Sequence, residues 1–203
     1  MVRLRLTLPS YDKESLIRLR VDKSFKARSK ITKRTLEVAK AFGIGVDEER
    51  VFQVYREFEL EVNPGEIIYI TGESGSGKSI LLREIGRRLR RRREFGGVLM
   101  GHELEIDPDE ILIHGVGRDT REAIELLSMV GLNEAYLFLR RYRELSEGQR
   151  YRYRLAKAFW SGRKTLILDE FCSTLDRITA RVVAYLCQKF CRRRKLTLIA
   201  ASA

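Results

Sequence analysis

Eight consecutive residues limit what this chain can fold into more than any other feature: Gly72-Glu73-Ser74-Gly75-Ser76-Gly77-Lys78-Ser79. They follow the apolar run Ile67-Ile68-Tyr69-Ile70, which reads as a buried strand. They precede Leu81, Ile85 and Leu89, which share one face of a helix. A glycine-rich turn in that position lets backbone N–H groups close around a phosphate without interference from Cβ atoms. The helix N-terminus adds its partial positive charge. Gly72 to Gly77 would form the cradle, Lys78 would reach the β- and γ-phosphates, and Ser79 would give its hydroxyl to Mg²⁺. The full GxxxxGKS spacing between strand and helix points to a bound nucleotide and to a mostly parallel α/β sheet with covered faces.

The remaining periodicity agrees with that class. Residues 1–21 read as two strands around a turn near Pro9-Ser10, and residues 32–42 as a helix. Phe58, Leu60 and Val62 alternate before the turn Asn63-Pro64-Gly65. Helices are expected over 78–93, 120–130, 134–142, 147–160 and 176–193, with strands at Thr165–Leu168 and Leu196–Ala201. A length of 203 residues suits one domain with a small appendage. The division expected is a β-rich and helical extension over 1–45 and the nucleotide-binding domain over 46–203.

Cysteine and hydropathy patterns exclude other classes. Cys172, Cys187 and Cys191 cannot build a disulfide framework, which argues for a reducing, cytoplasmic compartment. Cys187 and Cys191, one helical turn apart, read as core residues, and so does Cys172. No apolar run approaches the ~20 residues of a bilayer crossing. The alternating start MVRLRLTLPS is unlike a signal peptide.

The net charge of +12 is local. Residues 18–34 carry eight basic side chains against Asp22, and residues 83–93 carry seven arginines against Glu84. Positive charge concentrated in this way suits a surface that meets phosphate, in nucleic acid, or an acidic partner.

Two further motifs accompany the glycine loop. Thr165-Leu166-Ile167-Leu168-Asp169-Glu170 is an apolar strand ending in two acids, which would point into the ligand crevice at the C-terminal edge of a parallel sheet. Asp169 suits Mg²⁺ and Glu170 suits polarising an attacking water. Leu145-Ser146-Glu147-Gly148-Gln149 lies 24 residues before Asp169 and opens a helix. It resembles the LSGGQ signature of ABC-type ATPases, with Glu147 in place of the first glycine. Phe171-Cys172-Ser173-Thr174-Leu175-Asp176 resembles the D-loop of that family, and Asn63-Pro64-Gly65-Glu66 its lead-in to the phosphate loop. The motifs in order span residues 72–176.

The resemblance implies a P-loop NTPase of ABC type that binds and hydrolyses Mg-ATP in a head-to-tail homodimer. Glu170 and Lys78 would be catalytic. Ser146, Glu147, Gly148 and Gln149 would face the partner's nucleotide, and Ser173 and Asp176 would lie at the interface. The adenine-stacking aromatic is expected at Phe42, with Phe52 and Tyr55 behind it. Only 67 residues separate Lys78 from Leu145, so the helical insert that docks on membrane subunits is expected to be reduced. His114 stands roughly where the Q-loop glutamine belongs. The switch histidine would fall just beyond Ala203, so a C-terminal truncation with missing strands is the expected reading. Arg140–Arg152, with Asp169-Glu170-Phe171-Cys172, is similar to soluble, largely archaeal ATPases fused to a predicted acetyltransferase domain, for which this chain has no room. The leading expectation is a soluble ATPase. Its alternatives are a nucleic-acid-associated ATPase and, set back by the short insert, the energising subunit of a membrane transporter.

Overall fold

The computed structural model describes residues 3–6, 17–27, 31–43 and 50–202. It divides into two compact units, residues 18–60 and the remainder.

In the smaller unit, β2 (Ile17–Ala27) pairs with β3 (Arg50–Val62). Between them in sequence is the helix α1 (Lys33–Phe42). Thr32 caps it through a hydroxyl that accepts from Thr35 N–H, and Gly43 closes it in the left-handed region at φ 62°. Leu19, Val21, Tyr55 and Leu60 are buried, which accounts for the alternation in both strands.

The larger unit holds a five-stranded sheet in the order β1-β4-β7-β6-β5. β4 (Ile67–Thr71), β7 (Thr197–Ser202), β6 (Thr165–Leu168) and β5 (Val98–Met100) run parallel. β1 (Arg3–Leu6) adds antiparallel to β4, with Arg3 opposite Ile70. The two N-terminal strands therefore join different sheets, and the turn expected near Pro9-Ser10 lies outside the described residues.

Three of the parallel strands are fed by a helix running back along the sheet, the crossover that parallel pairing requires, while β4 follows β3 directly. α2 (Lys78–Leu89) returns to β5, α6 (Glu147–Trp160) to β6 and α7 (Arg177–Arg194) to β7. Side chains at alternate positions of each strand pack on opposite faces. Leu166, Leu168, Leu198 and Ala200 join the core formed with α6 and α7. Ile167 meets α2 on the other side, where a Cβ on Gly86 would lie 3.2 Å from its Cδ1. Both faces of β6 are covered, which is why it reads as an unbroken apolar run.

Between β5 and α6 the chain forms α3 (Leu112–Gly115), α4 (Thr120–Met129) and α5 (Ala135–Phe138). Two expected helices are shorter than their periodicity suggested. The one expected over 134–142 stops because Arg140 and Tyr142 turn their backbones to the 110–112 segment: Leu112 N–H donates to Arg140 O at 3.1 Å and Tyr142 N–H to Glu110 O at 2.9 Å. The one expected over 78–93 ends at Leu89, because Phe95 must reach the core and does so through a 3₁₀ turn at Arg93–Phe95.

Candidate nucleotide site

β4 delivers the glycine loop to the C-terminal edge of the sheet. Gly75 and Gly77 sit at φ 78° and 86°, conformations that side chains with a Cβ rarely adopt, so the loop can curl only with glycine there. Gly77 is the N-cap of α2 and makes no side-chain hydrogen bond. The first N–H groups of that helix, which have no intrahelical acceptor, are thus left to an anion. Lys78 Nζ donates to Gly72 O at 2.5 Å and to Glu73 O at 2.8 Å, which holds the ammonium over the loop.

A cavity of about 340 Å³ opens beside this loop. Ser79, Arg83, Asp169, Glu170 and Ser173 line it, together with His102 and Arg154. The hydroxyl of Ser79 and the carboxylate of Asp169 are hard oxygen donors, the type Mg²⁺ prefers, and the positively polarised loop suits a polyphosphate. Residues present therefore fit Mg-ATP chemically.

The acid pair has unusual backbone geometry. Glu170 and Cys172 lie in the left-handed region, at φ 50° and 61°, without being glycine. Such conformations cost on the order of 1–3 kcal/mol and persist only when the surroundings enforce them. Here they are enforced from several sides. Asp169 Oδ1 accepts from Glu170 N–H at 3.0 Å, Phe171 N–H donates to Ala201 O of β7 at 2.7 Å, and Cys172 N–H donates to Tyr151 Oη of α6 at 2.7 Å. Ser173 Oγ donates back to Glu170 O at 2.8 Å. Burial raises the Tyr151 phenol well above its usual range and pushes the Cys172 thiol up to about 11, so both are neutral anchors.

The signature residues lie outside that cavity. Ser146 is the N-cap of α6 in a reciprocal box: its hydroxyl accepts from Gln149 N–H at 3.3 Å and Gln149 Oε1 accepts from Ser146 N–H at 3.0 Å. Ser146 and Glu147 are exposed, and none of the four residues 146–149 lines the cavity of their own chain. A Cβ on Gly148 would touch Leu175 Cδ2 at 3.4 Å, so the segment after Glu170 packs on the signature turn. Asp176 caps α7, accepting from Ile178 and Thr179 N–H at 3.0 Å each, and these hydrogen bonds hold its carboxyl below the usual range.

The structure brings together Ser79, Asp169, Glu170 and Ser173 in one cavity, with Lys78 next to Ser79 at the start of α2 and folded over the loop, but not His114. That residue is exposed on α3, because the strand preceding the insert is β5, well before it. The turn after β5, Gly101–Glu103, instead carries His102 into the cavity. Glu103 braces this turn: it accepts from Met100 N–H at 3.1 Å and pairs with Arg90, whose guanidinium lowers its pKa. The sequence reading missed His102 because Val98-Leu99-Met100 is a three-residue strand, too short for a period; its apolar run was the available signal. Phe42 ends α1 in the smaller unit, 75% exposed, and Tyr55 is a buried core ring 5.6 Å from Phe58. The side chain of Phe52 lies outside the described residues.

Comparison with known proteins then identifies relatives. The family described as ABC transporter matches residues 55–113 and 94–173. The chain is 27% identical over 184 residues to the phosphonates import ATP-binding protein PhnC 2 of Halalkalibacterium halodurans, a match covering 71% of this chain and 75% of that protein. It is 33% identical over 183 residues to the leukotoxin translocation ATP-binding protein LktB of Mannheimia glucosida. That match covers 72% of this chain and 25% of the relative, so the chain spans about a quarter of that protein's length. Among solved structures, an ATP-binding cassette dimer in a post-hydrolysis state with ADP and phosphate aligns at TM-score 0.62 and 18% identity, covering 92% of this chain and 87% of that one. A dimeric bacterial ABC transporter cassette aligns at TM-score 0.58 and 21% identity, covering 76% and 82%. At those identities the structural likeness speaks to the fold.

Proposed function

This chain belongs to the ABC transporter family, whose ATP-binding domains hydrolyse ATP, and from that premise we propose that two copies close head to tail around Mg-ATP. The observation that carries the reading is the separation of Ser146 from its own cavity. An exposed, capped helix N-terminus outside the cavity and a phosphate loop beside that cavity form two half-sites, which a second copy completes.

In that arrangement Lys78 and the free N–H groups of α2 offset charge on the β- and γ-phosphates. Ser79 and Asp169 would hold Mg²⁺, which neutralises charge on the transferring phosphoryl group when bound. Glu170 accepts a proton from the attacking water, whose oxygen bonds to the γ-phosphorus as the bond to the oxygen of ADP breaks. His102, on the rim of the same cavity, is assigned the hydrogen bond to water or phosphate that the resemblance gives to a glutamine. Ser146 and Gly148 of the other copy close over the γ-phosphate.

Glu170→Gln tests this assignment. The variant keeps shape and ATP affinity but loses turnover, and light scattering with Mg-ATP then shows a dimer. Undiminished hydrolysis excludes Glu170 as the base. ATP-bound monomer refutes the head-to-tail reading.

For the coupled process we favour a soluble machine. Only α4, at ten residues, exceeds a single helical turn within the insert α3–α5, and Arg140–Arg152 resembles soluble relatives. A transporter role is the second reading, favoured by curated relatives described as import and translocation proteins. Co-purification of the chain with a polytopic membrane protein from its native membranes would decide for the second.

A further inference from the structure

The crossovers that carry the glycine loop and acid pair to one end of the sheet carry three basic stretches to the other. Arg90–Arg93 follows α2, Arg163-Lys164 follows α6, and Arg192–Lys195 ends α7. Each stretch leads into one of the adjacent parallel strands β5, β6 and β7. Their register sets Val98, Thr165 and Thr197 abreast, and Lys164 bridges the entrances: its N–H donates to Gly96 O at 3.2 Å and its carbonyl accepts from Thr197 N–H at 2.8 Å. At ~4.8 Å between strands, the three entries lie within roughly 10 Å. α2 and α7 flank them from opposite faces of the sheet, and α2's twelve residues put this end about 18 Å from the glycine loop.

All ten basic side chains in these stretches are exposed. Among the described residues only Arg90 is in an ion pair, with Glu103, while Glu122 of α4 interacts with Arg194 at longer range and Glu125 lines a surface cavity together with Arg193. Glu94 is the lone acid in 90–97, and 161–165 and 189–197 contain none. Other features hold the cluster in place. Gly97, at φ 82°, leaves open the space where Arg163 lies, since a Cβ there would come within 3.0 Å of its guanidinium. Arg193 and Arg194 both stack on Phe190, each 5.7 Å from the ring centroid.

Helix termini account for part of this charge, since a cation in the last turn offsets the macrodipole. They do not account for four successive cations at the end of each of two helices, nor for Arg163 and Lys164, because like charges so close repel. We infer that this end of the sheet is a docking surface for the phosphate backbone of a polynucleotide, separate from the ATP site. Eight of the ten cations are arginine, whose planar fork suits bidentate contact with phosphate oxygens. A bilayer surface would call for apolar side chains that insert beside the charges. The large apolar residues here, Leu89, Phe95, Phe190 and Leu196, are instead buried. Contact is by charge alone, so recognition is independent of base sequence.

The test is fluorescence anisotropy of the full chain with a labelled duplex of about 30 base pairs, from about 50 to 200 mM salt. The triple change Arg91→Ser, Arg92→Ser, Arg93→Ser should lower the log–log salt slope by about 2.7, at ~0.9 per phosphate contact, and so should Arg192→Ser, Arg193→Ser, Arg194→Ser. ATP affinity serves as the folding check and stays at the parent value in both variants; the thermal midpoint stays for the 91–93 change, whereas the 192–194 change also loses the stacking on Phe190 and lowers it by a few degrees. Arg141→Ser with Arg143→Ser, which removes two surface arginines paired with Asp109, leaves the slope unchanged. No duplex binding at the lowest salt overturns the inference. So does an equal loss of slope in the control pair, or tighter binding to phosphatidylserine vesicles than to duplex.

Discussion

Tyr153→Phe removes one oxygen and measures what ties the helical insert to α6. Tyr153 is fully buried, and its hydroxyl donates to Glu110 Oε1 at 2.6 Å, while Lys157 Nζ donates to the other carboxylate oxygen at 2.8 Å. The same lysine reaches Gly115 O at 3.0 Å, so one carboxylate gathers α6 and the entrance to α3. Hydrogen bonds to a charged acceptor contribute about 1.5–3 kcal/mol. The Glu110 side chain is 22% exposed and keeps its lysine, so water recovers part of the loss and the lower half of that range applies. Urea denaturation should show a loss of about 1.5–2 kcal/mol with an unchanged m-value. A cycle with Glu110→Gln should give a coupling of about 1 kcal/mol, since the amide removes the charge that strengthens the contact and phenylalanine removes its donor. ATP affinity should not move, because neither residue lines the cavity. A loss below about 0.5 kcal/mol, or no coupling, would refute the reasoning.

Lys78→Ala should lower affinity for a fluorescent ATP analogue by about 10²–10³-fold, the equivalent of the ~4 kcal/mol that one charge contributes at 4 Å near a protein surface; unchanged affinity would remove the nucleotide site. Burial raises the thiols of Cys172 to about 11 and Cys191 to about 12, and Cys187 well above its usual range. The folded chain therefore holds protons that the unfolded chain releases from about pH 9. Stability is full below that pH and falls by about 1.4 kcal/mol per unit and per thiol as pH rises toward the folded values. Cys187→Ala should flatten that slope while adding a pH-independent cavity cost, and chemical denaturation across pH 8 to 10.5 reads both.

The glycine loop, the acid pair and the signature turn were legible because each is a local event. Gly72–Ser79, Asp169-Glu170 and Ser146–Gln149 are contiguous, and their geometry follows from glycine φ values, a strand end and a reciprocal helix cap. The same holds for β6 and β7, whose two-sided burial leaves unbroken apolar runs, and for β4, which is buried on one face and half-buried on the other. What pairs across the chain was not legible. β1 seeks β4 rather than its sequence neighbour β2, and the 134–142 periodicity yields to backbone bonds from 110–112; neither choice is written in a local period.

His102 shows the same limit at the site. Its strand is three residues long, and only the pairing of β5 with β6 turns it toward Ser79 and Asp169, whereas His114 looked equally placed along the chain. The left-handed backbone at Glu170 is likewise a tertiary product, enforced by Ala201 and Tyr151 from 31 residues later and 19 earlier. The basic stretches at 90–93, 163–164 and 192–195 are up to about a hundred residues apart in sequence and become one surface because parallel crossovers return every helix to the same edge. By itself the sequence determined the chemistry, since loops that bind phosphate are built from neighbours. Only the tertiary structure decided which distant groups share a cavity or a face, because that depends on strand order and register, which no local spacing encodes.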